Sequence, residues 1–315
     1  MQGVLLGFAV VAALILVGVA AAVALRTRSG EMQRGLGSVT YYLAGPALMF
    51  ILTAEADLGA VATVYTPIAL LAAAIGGMLY AVFARLALRR KLERCLVGAM
   101  ASTYVNAGNI GVPIALYVVG SSAPVVSVLL AQLLVIAPGY MVLFSWCARR
   151  RDLAGDASPS PVWWPILKAV ANPMTIGTGA GVAVAALGIH LPEIVWEPIR
   201  MLGEASIPLL LLAFGMSIPG QRPFRQKNVL PDVLWASIVK LAAMPVIAWA
   251  LGRFAFGLDG VPLLGVTIMA ALPTAQNVFL FASQFGMPVV LARDVILASA
   301  VLSLPAVLVV TLLTS

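Results

Sequence analysis

The chain has 315 residues, of which 62% are hydrophobic and only 10% charged, and its mean hydropathy is +1.05. Soluble domains carry about 25% charged residues, so a sizeable soluble domain is excluded and the chain reads as a polytopic, all-α integral membrane protein. The net charge of +7 does not point to nucleic acid, because the basic residues sit in short loops between apolar runs.

A helix that crosses a bilayer needs about 20 largely apolar residues. The first run, Val4 to Leu25, is too long for a signal-peptide core and has no basic residue before it, so it reads as a retained span. By the same test ten spans are expected, at 3–25, 37–54, 61–87, 94–119, 122–147, 164–188, 196–217, 230–255, 261–285 and 288–313. The fourth and ninth are interrupted. The longest connection, 148–163, opens with Arg149, Arg150 and Arg151 and continues in Gly, Asp, Ser and Pro, which is the composition of a flexible linker. It divides the chain into halves at 1–147 and 164–315. Cys95 and Cys147 lie beside basic loops and form neither a disulfide framework nor a metal-ligand spacing.

Loops after the odd-numbered spans hold 16 of the 19 Lys and Arg residues. That side is cytoplasmic by the positive-inside rule, which puts the linker inside and both termini on the outer face of an inner (plasma) membrane. Five spans per half is an odd number. The second half therefore enters from the opposite side, and any shared fold is an inverted repeat.

The interruptions are Asn106-Ala-Gly-Asn-Ile-Gly-Val-Pro113 and Leu272-Pro-Thr-Ala-Gln-Asn277. Proline removes a backbone donor and clashes with the preceding turn, and glycine weakens a helix interior. In hydrocarbon, freed backbone groups must be satisfied by protein or trapped water. Paired broken helices are where secondary transporters bind their substrates. Asn106 and Asn109 are three apart and would share a helix face, near Pro113 and Gly111. Pro273, Thr274, Gln276 and Asn277 are their counterparts. Amides donate and accept hydrogen bonds without charge, and half-helix N-termini attract anions. The plainer role for such amides is bonding between packed helices.

Lys240 is the one basic residue well inside a span, where a lysine costs roughly 2.5–3.5 kcal/mol. It is expected to neutralise an anionic substrate or hold an acidic partner, with snorkelling as the bland alternative. Glu204 follows Arg200 by four residues, the spacing of a helix-surface ion pair; a proton-coupling carboxylate is the sharper reading. Asp294 is expected to cap the start of span ten. Gln132, Ser299 and Ser303 are polar groups at membrane depth, and Ser often bonds its own helix. No His/Cys cluster, nucleophile elbow or phosphate-cradling loop is present, so the chain reads as a non-enzyme without cofactor.

In order along the chain, Asn109-Ile-Gly-Val-Pro-Ile-Ala115, Gly203 with Ile207-Pro-Leu209, Lys240-Leu241 with Pro245, Leu272-Pro273 through Asn277 to Phe285-Gly286, and Asp294-Val-Ile-Leu-Ala-Ser299 together resemble the auxin efflux carrier family. That resemblance implies the fold of bile acid:sodium symporters, with broken spans 4 and 9 crossing at Pro113 and Pro273. It also implies a scaffold of spans 1, 2, 6 and 7, often dimeric, against which spans 3–5 and 8–10 move as an elevator. A secondary transporter of a small organic anion, a mono- or dicarboxylate, is the expected function, with coupling to H+ or Na+ left open. The alternatives are a sodium-coupled symporter of the bile-acid type and, from another class, a channel or a non-transporting membrane sensor. Glu204 departs from the small apolar residue common at its place, and the linker is short.

Overall fold

The computed structural model describes residues 2–56, 58–60, 64–152, 173–219 and 224–314. Among them the chain is helical almost throughout, and its one β-bridge is isolated. The linker expected at 148–163 lies mostly outside the described residues, although the preceding helix continues to Asp152. Six described helices are long and apolar enough to cross a bilayer. They are α2 (Ser29–Ala54), α3 (Thr66–Leu86), α6 (Ala123–Ala148), α8 (Glu193–Ser217), α9 (Leu230–Ala255) and α12 (Val289–Leu313). Shorter or only partly described are α1 (Gln2–Leu25), α4 (Leu92–Thr103), α5 (107–119), α7 (Pro173–Leu187), α10 (Gly260–Ala271) and α11 (Asn277–Gln284).

Two boundaries differ from those read in the sequence. The second span was expected from residue 37, but α2 is helical from Ser29. Its first turns, Ser29–Val39, carry Glu31, Gln33 and Arg34, which hide the helix from a count of apolar residues while leaving its backbone bonding intact. The fourth span was expected to break near Pro113. The chain leaves the helix at Tyr104–Asn106 instead and is helical again through Pro113. Widened turns elsewhere show how the protein tolerates proline within a span. The residue before Pro46, Pro138 or Pro245 (Gly45, Ala137 or Met244) donates its N–H to the carbonyl five back, on Thr40, Gln132 or Val239. This i→i+5 turn is a recognised local variant of the α-helix.

The chain forms two compact units. The first comprises Met1–Ala62, Gly108–Val126 and Ala171–Arg222. Its helices pack backbone to backbone over glycine. A Cβ on Gly18 of α1 would fall 3.0 Å from the Gly215 Cα of α8, and one on Gly203 of α8 would fall 3.1 Å from the Leu48 Cα of α2. Gly177 and Gly181 of α7 lie against the carbonyls of Pro46 and Phe50 in α2. Thr53 of α2 hydrogen-bonds the Met49 carbonyl at 2.7 Å and the Thr178 carbonyl of α7 at 3.2 Å. Lipid tails give no hydrophobic drive for helix association, so close van der Waals approach over small residues takes its place.

The second unit comprises Thr63–Ala107, Ser127–Val170 and Pro223–Ser315. Its core holds Tyr80, Met100, Tyr104, Met141, Phe144, Phe281, Phe285 and Leu291. Gly98 of α4 lies under the Tyr80 ring of α3, and Gly76 of α3 leaves room for Met244 of α9.

A pair of α7 variants tests the glycine packing. A Cβ at Gly181 would strike the Phe50 carbonyl and the Thr53 hydroxyl, whereas nothing lies within 4 Å of one at Gly179. Overpacking costs typically 1–3 kcal/mol. Gly181→Leu is expected to lower the detergent-solubilised melting temperature and the monodisperse yield, and Gly179→Leu to leave both near those of the parent.

Candidate functional site

The two breaks in the helices, at Tyr104–Asn106 and at Leu272–Thr274, meet inside the second unit, and the residues around them explain how. Helix α4 ends when Tyr104 turns extended (φ −79°, ψ 102°), its own N–H still bonded to the Met100 carbonyl at 2.8 Å. Helix α10 ends at Leu272, also extended (φ −59°, ψ 152°) because Pro273 follows and disfavours helix before it. The two extended stretches pair antiparallel at Val105 and Thr274. Asn106 donates its N–H to the Pro273 carbonyl at 2.8 Å, and Ala275 donates to the Tyr104 carbonyl at 3.0 Å.

Side chains seal what the pairing leaves open. Gln132 of α6 donates its Nε2 to the Val105 carbonyl at 2.9 Å. The Thr274 N–H donates to Ser299 Oγ of α12 at 3.0 Å, and the Thr274 hydroxyl donates to the Ala101 carbonyl in the last turn of α4 at 2.6 Å. Lys240, wholly buried on α9, donates its Nζ to the Ala270 carbonyl at 2.9 Å. That carbonyl belongs to the last turn of α10, the negative end of the half-helix dipole. Thus the lysine caps a broken helix. Among the described residues it has no acidic partner within ion-pair distance, so the expected carboxylate is replaced by a carbonyl and a helix end.

One polar side chain at the crossing stays unspent. Asn106 is only 6% exposed, and its amide makes no hydrogen bond to the described residues. Strand alternation puts its side chain on the same face as that of Tyr104, whose hydroxyl is hydrogen-bonded to the Asn277 side chain. Gln276 and Asn277 are exposed at the start of α11. Their two N–H groups carry no hydrogen bond within the described residues, while Val278 and Phe279 donate to Ala275 and Gln276 at 3.2 and 3.0 Å. Amides and half-helix N–H groups are the chemistry able to hold a carboxylate.

Several expected roles change. Asn106 lies before the helix, in the extended stretch, so it does not share a helix face with Asn109 as expected. The Asn109 side chain lies outside the described residues; Gly111 and Pro113 are buried on α5 in the first unit. Thr274 is committed to the joint and has no donor left for a ligand. Glu204 forms the expected pair with Arg200 at 3.5 Å, and Arg200 also bonds Glu197 at 2.9 Å, all on the exposed face of α8. Asp294 does not cap its own helix. It is the sixth residue of α12, and its buried carboxylate accepts the Phe224 N–H at 3.3 Å and the Arg293 Nε at 2.9 Å. Tyr104 escaped sequence reasoning; an aromatic hydroxyl immediately before the glycine-rich break was the available signal.

Comparisons with known proteins identify the family. Residues 7–311 match a family described as "Membrane transport protein". The chain belongs to that family, the auxin efflux carrier family. It is therefore a multi-pass member of a membrane-transport family and not of an enzyme family. It is 28% identical over 294 residues to a Rhizobium meliloti (strain 1021) protein named "Putative malonate transporter", covering 88% of this chain and 86% of that one. Over 157 residues it is 26% identical to the rice (Oryza sativa subsp. japonica) "Probable auxin efflux carrier component 5a", 46% of this chain but 42% of the rice protein. Component 5b from the same plant is 26% identical over 155 residues.

The sealing bonds predict a stability effect separate from any ligand. Gln132→Leu removes one of the two donors on the buried Val105 carbonyl, which keeps the Ala107 N–H at 2.9 Å, and costs about 0.5–1.5 kcal/mol. It is expected to lower the melting temperature of purified protein in the absence of any carboxylate, and Ser299→Ala to do the same.

Proposed function

We propose that this chain is a secondary transporter of a small organic anion, a mono- or dicarboxylate, which it binds at the crossing of its two broken helices. The observation that carries this is Asn106, a residue only 6% exposed whose amide bonds none of the described residues, together with the Gln276 and Asn277 N–H groups, which bond none of them either. A carboxylate accepts several such donors at once, and in a desolvated setting charge-assisted bonds are about twice as strong as neutral ones. The malonate transporter named among the relatives supports a dicarboxylate as the first substrate to try.

In this reading the chain has ten spans in two inverted five-helix repeats, joined by the linker at 148–163. Support comes from the corresponding places of the breaks: each follows a half-helix, and each is sealed by a side chain of the next span, Gln132 for the first and Ser299 for the second. The division into a scaffold (spans 1, 2, 6 and 7) and a moving domain (spans 3–5 and 8–10) is supported by the residue content of the two compact units, with the difference that 108–126 clusters with the first. Elevator-type alternating access, a homodimeric scaffold and outward-facing termini complete the proposal. Lys240 holds the frame of the crossing, and Asn109, Gly111 and Pro113 keep their sequence-based place as candidates on α5.

The test is uptake of labelled malonate into proteoliposomes. Losing one donor to a charged ligand costs about 1.5–3 kcal/mol, so Asn106→Ala is expected to cut uptake at low substrate roughly ten- to hundredfold while remaining monodisperse. Parent-level uptake by that variant would remove Asn106 from the site. Saturation with accelerated exchange against internal malonate distinguishes a carrier from a channel, and replacing sodium by choline distinguishes the sodium-coupled alternative.

A further inference from the structure

Two carboxylates are buried to within 1% among the described residues, Asp232 and Asp294. The partners of both lie away from the crossing in sequence: Arg90 and Arg94 for Asp232, Phe224 and Arg293 for Asp294. Both bear on one short stretch, 224–229, just after the chain passes from the first compact unit, ending at Arg222, to the segment that begins at Pro223. At its near end the Phe224 N–H donates to Asp294 Oδ2 at 3.3 Å. At its far end the Asn228 carbonyl accepts from Arg90 Nη2 at 3.1 Å and Arg94 Nη2 at 2.7 Å. Those two arginines are themselves fixed on Asp232 Oδ2, each at 2.9 Å. Between the ends, Val229 and Leu230 donate to the Gln226 and Lys227 carbonyls at 3.0 and 3.3 Å, and Phe224 is held at φ +62°. That left-handed conformation is an outlier for a bulky side chain, and it persists only where the surroundings over-determine it.

An ordinary surface connector of exposed Arg225, Gln226, Lys227 and Asn228 would be mobile. This one is fastened at both ends by charge-assisted bonds that lead to buried carboxylates, and a carboxylate is buried only when paired. We infer that Asp232 and Asp294 are positioning residues that strap 224–229 onto the second unit, so that this connector moves as part of that unit during transport. The transport half of this inference rests on the proposed function; the strap itself does not.

The experiment uses the full chain, with Asp294→Asn and, as a second lesion at the other end, Arg94→Gln. Trypsin cuts after Arg225 and Lys227 are followed by mass spectrometry, and malonate uptake is measured over a range of concentrations. Cleavage of a fastened segment tracks its opening equilibrium, so both variants are expected to be cut about tenfold faster or more at those two sites. Maximal uptake per folded protein is expected to fall about tenfold with KM unchanged, as for a defect in a conformational step. Cleavage no faster than in the parent overturns the strap. Faster cleavage with undiminished maximal uptake overturns its part in transport, as does a change confined to KM. Should the parent take up no carboxylate, the transport reading fails while the cleavage rates still decide the strap.

Discussion

The structure depends on the rule that a backbone N–H or C=O in hydrocarbon must find its partner within the protein. Breaking one membrane helix leaves several such groups stranded. Here two breaks repair each other, with Asn106 on Pro273, Ala275 on Tyr104, and Gln132, Thr274 and Ser299 taking the remainder. Neither interruption could persist without the other. The same joint fixes where the half-helices begin and end, and so where N–H groups are left pointing at nothing. Among the described residues the Asn106 amide and the first N–H groups of α11 remain unmet, which is what the proposed binding of a polar ligand draws on.

Charge is handled by the same economy of partners. Lys240 is fully buried with no carboxylate partner among the described residues, and the last turn of α10 supplies the opposing partial charge through the Ala270 carbonyl. A lysine in this place steadies the C-terminal end of one half-helix. In the proposed role, the anion is then met by neutral amides and backbone N–H groups, which recognise carboxylates as a class. Two buried carboxylates of the second unit, Asp232 and Asp294, by contrast organise arginines and a connector.

Composition and the placement of Pro, Gly and Asn made the membrane class and the two interruptions legible in the sequence. The family likeness read there agrees with the match over residues 7–311. Local detail was less legible. Pro113 marked a break that the chain makes seven or more residues earlier, because a proline in the early turns of a half-helix is compatible with helix while the extended pairing at Val105 is a tertiary choice. Glu31 and Arg34 concealed the first turns of α2 for a similar reason: apolar counting measures lipid contact, not backbone conformation. Asp294 read as a cap of its own helix, since its partner Phe224 lies 70 residues away. Asp232 drew no notice at all; its arginine partners are 142 and 138 residues distant. Long-range pairs of this kind leave no local pattern.

Binding of the anion at the crossing is tested most directly by a thermal shift of the purified chain with malonate, alongside Asn106→Ala. A ligand at 100 times its dissociation constant adds about 2.7 kcal/mol to stability. A rise in melting temperature with malonate that is lost in Asn106→Ala is the predicted result. An equal rise in both proteins, or none in the parent with malonate or any other small carboxylate, would contradict the account.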